Sequence, residues 1–190
     1  IALRTGGLSA HLASGMTADG AGSWQRMFIS VKALYRNVEE AVGIVRDVLT
    51  AGDLNDDARM RDLILEKKNG LHASVIPSGH LFAQMAAAAA LSIPSWRNEQ
   101  WHGRTQLRFL SRTAEAIDEK KEELREKLTR LREIVFTRNR LHLNLTADGE
   151  GMERLAREVR GLADCLPAGE SASGGRERPE MTEPIGIAIP

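Results

Sequence analysis

The apolar residues of this chain recur at two different spacings, and this change of spacing constrains the fold more than any other feature of the sequence. Near the start, Leu8, Ala10 and Leu12 alternate with small or polar residues, which is the period of a strand with one buried face. The same alternation returns from residue 25 to residue 32. The segment between them, "SGMTADGAGS", is rich in Gly, Ser and Asp. We therefore predict a β-hairpin.

Spacings of three and four dominate the next hundred residues and predict helices. One helical face runs from Leu34 to Leu49. A long helical segment follows with Asn55 as its N-cap, and Pro77 interrupts it. The alanine-rich segment "HLFAQMAAAAALS" resumes the helix until Pro94. We expect these two segments to form a helical hairpin or one kinked rod.

Three further helices are predicted, at about 98–112, at 116–136 with alternating acidic and basic residues, and within "MERLAREVRGLADCL". Before the last helix the period returns to two, with Leu141, Leu143 and Leu145 on one side, which predicts a third strand. The predicted fold class is therefore α+β, an antiparallel sheet of about three strands covered by several helices.

The composition narrows the possible partners and locations. Basic and acidic residues number 26 each, so no net charge favours nucleic acid or an anionic membrane, and we expect neither as a partner. No apolar run approaches the ~20 residues that span a bilayer. The single cysteine, Cys165, rules out an internal disulfide and favours a reducing compartment, so the expected location is the cytoplasm.

The sequence lacks the common catalytic motifs. None of the five histidines stands in an HExxH or HxxEH pattern, the spacing that places zinc ligands and a carboxylate together on a helix. The nucleophile motif GxSxG and the phosphate-binding loop are also absent. From residue types alone we predict no catalytic residue, no metal ligand and no cofactor in this chain.

Both ends of the sequence differ in character from the middle. Residues 167–184, "PAGESASGGRERPEMTEP", have no apolar periodicity and are typical of a linker. The apolar run 185–190, "IGIAIP", is interpreted as the start of a further module, and the first strand begins almost at once. We expect one domain at 1–166 that is truncated at its N-terminus.

The order of several short segments carries a family resemblance. "RTGGLSAHL", "ISVKALYRNVEEAVGIVRDVL", "NDDARMRDLILEKKNGLHASVIPSGHLFAQMAAAAALS" and "LTRLREIVFTRNRLHLNLTAD" follow one another in this chain. This series resembles the post-catalytic region of insulinase-like (pitrilysin-type) zinc metallopeptidases, in the presequence-protease and falcilysin branch. The resemblance covers about residues 3–166.

The resemblance implies a place in a larger enzyme. Members of the family have four related α/β domains that close around an unfolded peptide, and the first domain carries the HxxEH zinc motif. This chain is similar to most of the third domain, a two-layer metallopeptidase-like domain that helps form the chamber wall. The implied partners are the remaining domains and the unfolded peptide, and the implied cofactor of the whole enzyme is zinc. No catalytic residue of the family has a counterpart here.

The resemblance also bears on the first strand. Gly6 and Gly7 have no Cβ atom, so neighbouring backbone could pack closely against the strand there. Ser9 and His11 are candidates for contact with a peptide in the chamber, since one face of such a sheet would look into it.

A second function class remains open from the sequence. The chain could be a free-standing helical interaction module, without enzymatic activity, that binds a partner through the charged helix at 116–136. A homodimer through the unpaired edge of the hairpin is a further expectation.

Overall fold

The computed structural model describes residues 4–169. Two strands open the chain, β1 (Gly7–Met16) and β2 (Ser23–Lys32), followed by a short 3-10 helix at Tyr35–Asn37. The remaining elements are seven α-helices and a second 3-10 helix at Arg138–Arg140. The α-helices described are α1 (Val38–Thr50), α2 (Asp57–Val75), α3 (Gly79–Ala88), α4 (Ile93–His102), α5 (Arg104–Glu115), α6 (Ile117–Val135) and α7 (Gly149–Asp164).

The predicted α+β class and the hairpin are confirmed. Strands β1 and β2 pair in a two-stranded sheet and are longer than the alternation suggested. The described residues fall into two compact units. The first unit contains 4–10, 29–55 and 122–169, and the second contains 11–28 and 56–121.

The core of the first unit lies between α1 and α7, which pack against each other. Its buried residues are Val38, Val42, Leu49, Val159, Leu162 and Leu166. The residues within α1 and α7 are three, four or seven positions apart, as the helical period requires, and Leu166 follows the end of α7. Leu34 was expected on the same face but precedes the helix and is 62% exposed.

The second unit contains residues 11–28 of the hairpin, helices α2 to α5 and the first residues of α6. Helix α5 packs against both α2 and α4, and α4 packs against α3. Phe82, Leu110 and Ile117 are its buried apolar residues. The break at Pro77 is confirmed, since α2 ends at Val75 and α3 begins at Gly79.

The expected single helix at 98–112 is two helices. Helix α4 begins at Ile93, with Ser92 as its N-cap and Pro94 in the first turn. It ends at Gly103, where a Cβ atom would lie 2.7 Å from the carbonyl oxygen of Glu99. The chain turns there and α5 starts at once, so the break depends on a residue without a side chain.

The prediction of a third strand was wrong. Residues 141–148 have no regular structure, and the sheet has two strands in the part of the chain that the structure describes. Leu141 and Leu145 pack against the core of the first unit, whereas Leu143 is 48% exposed. Alternating burial requires only an extended backbone, and here no neighbouring strand supplies hydrogen bonds.

Only the start of the predicted linker can be described, because 170–184 and the run 185–190 lie outside the described residues. The N–H of Arg138 donates to the carbonyl of Pro167 (2.8 Å), and the N–H of Asn139 donates to that of Ala168 (3.1 Å). The Asn139 side-chain amide donates to the carbonyl of Gly169 (2.9 Å). This start of the segment is therefore fixed to the first unit.

Candidate binding site

The turn between the strands fixes the end of the hairpin. Thr17 and Gly22 close it, since the N–H of Thr17 donates to the Gly22 carbonyl (2.9 Å) and the N–H of Gly22 donates to Oγ1 of Thr17 (2.8 Å). Gly20 has a φ of +68°, which favours glycine. The Thr17 hydroxyl and the N–H of Ala21 both donate to the Asp19 carboxylate. These bonds, the Thr17 bond first, hold the pKa of Asp19 below its ordinary value.

Four side chains of the hairpin form two contacting pairs on one face, which we together call the hairpin strip: His11 with Phe28, and Trp24 with Arg26. The three residues of β2 lie two positions apart and therefore share one face of the strand. The rings of His11 and Phe28 stack with centroids 5.1 Å apart and planes at 8°. The guanidinium of Arg26 lies 5.5 Å from the centroid of the Trp24 ring, a cation–π contact.

Gly15 gives the Trp24 ring its place in the strip. A Cβ atom at Gly15 would lie 2.6 Å from Cζ2 of Trp24, so the ring occupies the space of the missing side chain. The indole Nε1 donates to the carbonyl of Met16 at 3.2 Å. The large ring therefore has a defined position although it is on the surface of a hairpin.

Arg97 of α4 attaches the opposite face of the hairpin to the helices of the second unit. Its Nη1 lies 3.2 Å from Oγ of Ser14, 3.2 Å from Oγ of Ser23 and 3.4 Å from the carbonyl oxygen of Trp24. Ser14 also donates to that carbonyl at 2.7 Å. We call these contacts the Arg97 clamp. Because it uses the other face, it leaves His11, Arg26 and Phe28 exposed and Trp24 half-buried.

Glu99 holds the end of the helix that carries Arg97. Its side chain is buried, with 5% of the residue exposed, and Oε1 accepts from the N–H of Thr105 at 3.0 Å. Oε2 accepts from the side-chain amide of Gln100 at 3.2 Å. A carboxylate at the first turn of α5 also interacts favourably with the helix dipole. The junction of α4 and α5 is thus fixed by one buried acidic residue.

The sequence from Arg4 to Val38 contains more basic than acidic residues. From Arg4 to Val38 the chain contains the basic residues Arg4, Arg26, Lys32 and Arg36, but its single acidic residue is Asp19. Arg4 pairs with Glu40 of α1 at 3.3 Å. Among the described residues, neither Arg26 nor Lys32 has a carboxylate within ion-pair distance. A protein with no net charge therefore presents a locally positive hairpin.

The residues singled out in the first strand have different surroundings. Gly6 donates its N–H to the carbonyl of Lys32 (2.7 Å), and a Cβ atom there would lie 3.4 Å from Cβ of Lys32. Gly7 has a φ of +131°, which side-chain-bearing residues rarely adopt. Ser9 is exposed, and His11 belongs to the hairpin strip. The structure brings only His11 to the candidate site.

Sequence reasoning missed the other members of the site. Trp24, Arg26 and Phe28 carried a signal, since an aromatic, a basic and an aromatic residue at alternate positions of one strand must share a face. Arg97 carried none, because its partners are more than 70 positions away.

A zinc site does not fit the residues described here. No three His, Cys, Asp or Glu side chains in residues 4–169 come together in a way that could hold a metal ion. The five histidines stand on separate elements or in irregular segments. No step of metal chemistry is therefore derived from these residues.

Comparison with known proteins identifies the chain. The family model described as peptidase M16C associated matches residues 1–113, more than half of the sequence. The chain belongs to this family. It is therefore a peptidase-associated domain of the insulinase-like type, as the order of its segments suggested.

Several curated relatives of this M16C-associated domain are presequence proteases. Presequence protease 1, chloroplastic/mitochondrial, of Arabidopsis thaliana is 25% identical over 92% of the chain, and the match covers 16% of that protein. The mitochondrial presequence proteases of Danio rerio and Aspergillus oryzae are 26% and 32% identical over 96% and 73% of the chain, which is 18% and 14% of their lengths. The chain thus spans less than a fifth of these relatives.

Two observations concern the cellular location of the chain: the character of its described helices and the names of its relatives. No helix in the described part of the chain combines the length and the apolar character needed to cross a membrane. The relatives are named for mitochondria and chloroplasts, so they give no support to the expected cytoplasmic location.

Proposed function

We propose that this chain is a non-catalytic domain of a zinc metalloendopeptidase and forms part of the chamber that encloses an unfolded peptide. The observation that carries the proposal is the match to the peptidase-associated family over residues 1–113. Its alignment with presequence proteases, over most of this chain but a small part of theirs, supports a role within a larger enzyme.

The remaining domains of the same protease are the proposed partners, and the zinc belongs to the catalytic domain of that enzyme. The order of the segments in the sequence supports a place corresponding to the third domain of the family.

The polypeptide encoded by the complete gene allows a direct test. We expect an HxxEH motif several hundred residues before Ile1 and cleavage of an unfolded, quenched fluorescent peptide that a zinc chelator abolishes. In a variant with Gln for the glutamate of that motif, a photo-crosslinking peptide should label this domain as well as the catalytic one.

Two results would contradict the proposal. A gene without the zinc motif would favour a free-standing interaction module. Labelling confined to the other domains of an active enzyme would remove this domain from the chamber wall.

A further inference from the structure

We propose that the hairpin strip of His11, Trp24, Arg26 and Phe28 binds an extended, acidic segment of polypeptide. The inference rests on the proposed function, because a domain that encloses unfolded peptides has to contact them. It goes further by naming the surface and the charge that this surface selects.

The charge distribution indicates an acidic partner. Arg26 contacts the ring of Trp24 and has no carboxylate partner among the described residues, so its remaining N–H groups can bind an incoming carboxylate. Lys32 lies farther along the same strand and is also exposed. Asp19, the single acidic residue of this region, is engaged by Thr17 and Ala21 within the turn. These basic side chains would therefore attract an acidic segment, and the one carboxylate of this region is already bound within the turn.

The spacing of the strip indicates an extended chain. Alternate residues of a strand lie about 6.5 to 7 Å apart, which is also the spacing of alternate side chains in an extended peptide. A glutamate facing Arg26 would place its neighbours on the same side next to Trp24 and Phe28. Apolar side chains at those positions would bury surface against the two rings. The matching pattern is apolar, acidic, apolar at alternate positions.

The site is held in shape before any ligand arrives. The Arg97 clamp holds the opposite face of the hairpin through three hydrogen-bond acceptors. Gly15 gives the Trp24 ring a fixed position. Preorganised side chains lose less conformational freedom on binding than mobile ones. This preorganisation distinguishes the strip from arginine and aromatic side chains that move freely on a protein surface.

The ring contacts favour a peptide over single-stranded nucleic acid. Base recognition without sequence preference uses aromatic faces that are free to stack. Here the imidazole of His11 covers one face of Phe28, while Gly15 and Arg26 lie against Trp24. One face of Phe28 and part of the Trp24 ring are thus already occupied, and the guanidinium and the remaining ring surface are left to contact carboxylates and aliphatic side chains.

Fluorescence anisotropy with the 190-residue chain tests the inference. The probe is a short labelled peptide, Val-Ser-Glu-Ser-Val-Ser-Glu, in which one face of the extended chain carries Val and Glu in turn, compared with versions that carry Lys or Gln in place of Glu. We expect the acidic peptide to bind about tenfold more tightly than the Lys peptide, and its affinity to fall as salt is raised.

Variants connect the binding to the strip. Arg26→Gln and Phe28→Ser should each weaken binding of the acidic peptide about fivefold or more. Arg108→Gln, at an exposed position of α5, removes the same charge elsewhere and should change nothing. Arg26→Glu should reverse the preference between the acidic and the Lys peptide. Circular dichroism establishes that each variant is folded.

Several outcomes would overturn the inference. These are no detectable binding, equal binding of the three peptides, full affinity in Arg26→Gln, and tighter binding of an oligothymidylate than of the acidic peptide. If any of them occurs while the full-length polypeptide still cleaves peptides and labels this domain, the inference fails and the proposed function stands. If the strip binds as expected but the gene encodes no zinc motif, the proposed function fails instead.

Discussion

The indole ring of Trp24 lies over Gly15 so closely that a Cβ atom at position 15 would be 2.6 Å from Cζ2 of the ring. The two residues face each other across the strands of the hairpin, and the ring takes the place of a side chain on β1. This relationship turns a glycine within a strand, normally a weakness, into a requirement of the site.

Replacement of Gly15 by alanine should therefore destabilise the hairpin. The new methyl group would displace the Trp24 ring and weaken its bond to the Met16 carbonyl, at a cost of about 1 to 3 kcal/mol in the free energy of unfolding. Urea denaturation measures the change. Gly70→Ala, in α2, is the matched control, because no heavy atom lies within 4 Å of its Cβ position. It should stabilise the protein by about 0.5 to 1 kcal/mol, and a similar loss in both variants would contradict the expectation.

Removal of the Arg97 side chain should loosen the hairpin from α4. Arg97→Ala leaves the Ser14 and Ser23 hydroxyls without their charged partner and should lower the free energy of unfolding by about 1 to 3 kcal/mol. Faster hydrogen exchange in β1 and β2, with α2 unaffected, would locate the effect. Arg108→Ala on the neighbouring helix serves as the comparison, and equal protection of the strands in both variants would rule out the clamp.

Glu99 should matter as a hydrogen-bond acceptor and not simply as a charge. Glu99→Ala removes the acceptor for the Thr105 N–H from a buried position, at an expected cost of about 1 to 3 kcal/mol. Glu99→Gln retains a carbonyl oxygen and should keep most of the stability. Thermal unfolding of the two variants separates these roles, and equal losses would assign the effect to the charge.

Acid should weaken the turn of the hairpin through the protonation of Asp19. The pKa of Asp19 is lowered by its bonds to Thr17 and Ala21, so the folded state favours the ionised carboxylate. Its contribution to stability is present above the ordinary aspartate pKa of about 4 and is lost as pH falls through the lower folded value. The amide signal of Ala21 in NMR spectra should report this change. In Asp19→Asn the same signal should be insensitive to pH over that range, and an unaltered titration would contradict this origin.

The elements that the sequence predicted correctly are those with a local cause. The hairpin follows from alternation around a glycine-rich turn, and the end of α2 follows from Pro77. The N-cap of α2 was misplaced by one residue, because Asp56 accepts from the N–H of Arg59 where Asn55 was expected. Adjacent Asn and Asp residues have similar capping ability, so composition alone does not choose between them.

The errors share a different origin, since each depends on residues distant in the sequence. The period of two at Leu141–Leu145 reflects burial against α1 and α7, and strand pairing needs a partner that the alternation does not reveal. The end of α4 at Gly103 depends on the closeness of Glu99. The Arg97 clamp joins positions more than 70 residues apart, which no local pattern indicates.

The Arg97 clamp has three acceptors within 3.4 Å of a single nitrogen, and Nη1 of a guanidinium carries only two hydrogens. At any moment one of the three acceptors has to do without it, and the Ser14 hydroxyl can rotate to serve the Trp24 carbonyl instead. The two Nη1 hydrogens can serve the two serine hydroxyls while Ser14 donates to the Trp24 carbonyl, so the shortage of donors is met within the hairpin itself. Loss of the Ser14 hydroxyl would remove both a partner of Arg97 and the donor to a backbone carbonyl, which makes this serine the member of the clamp on which the other contacts depend.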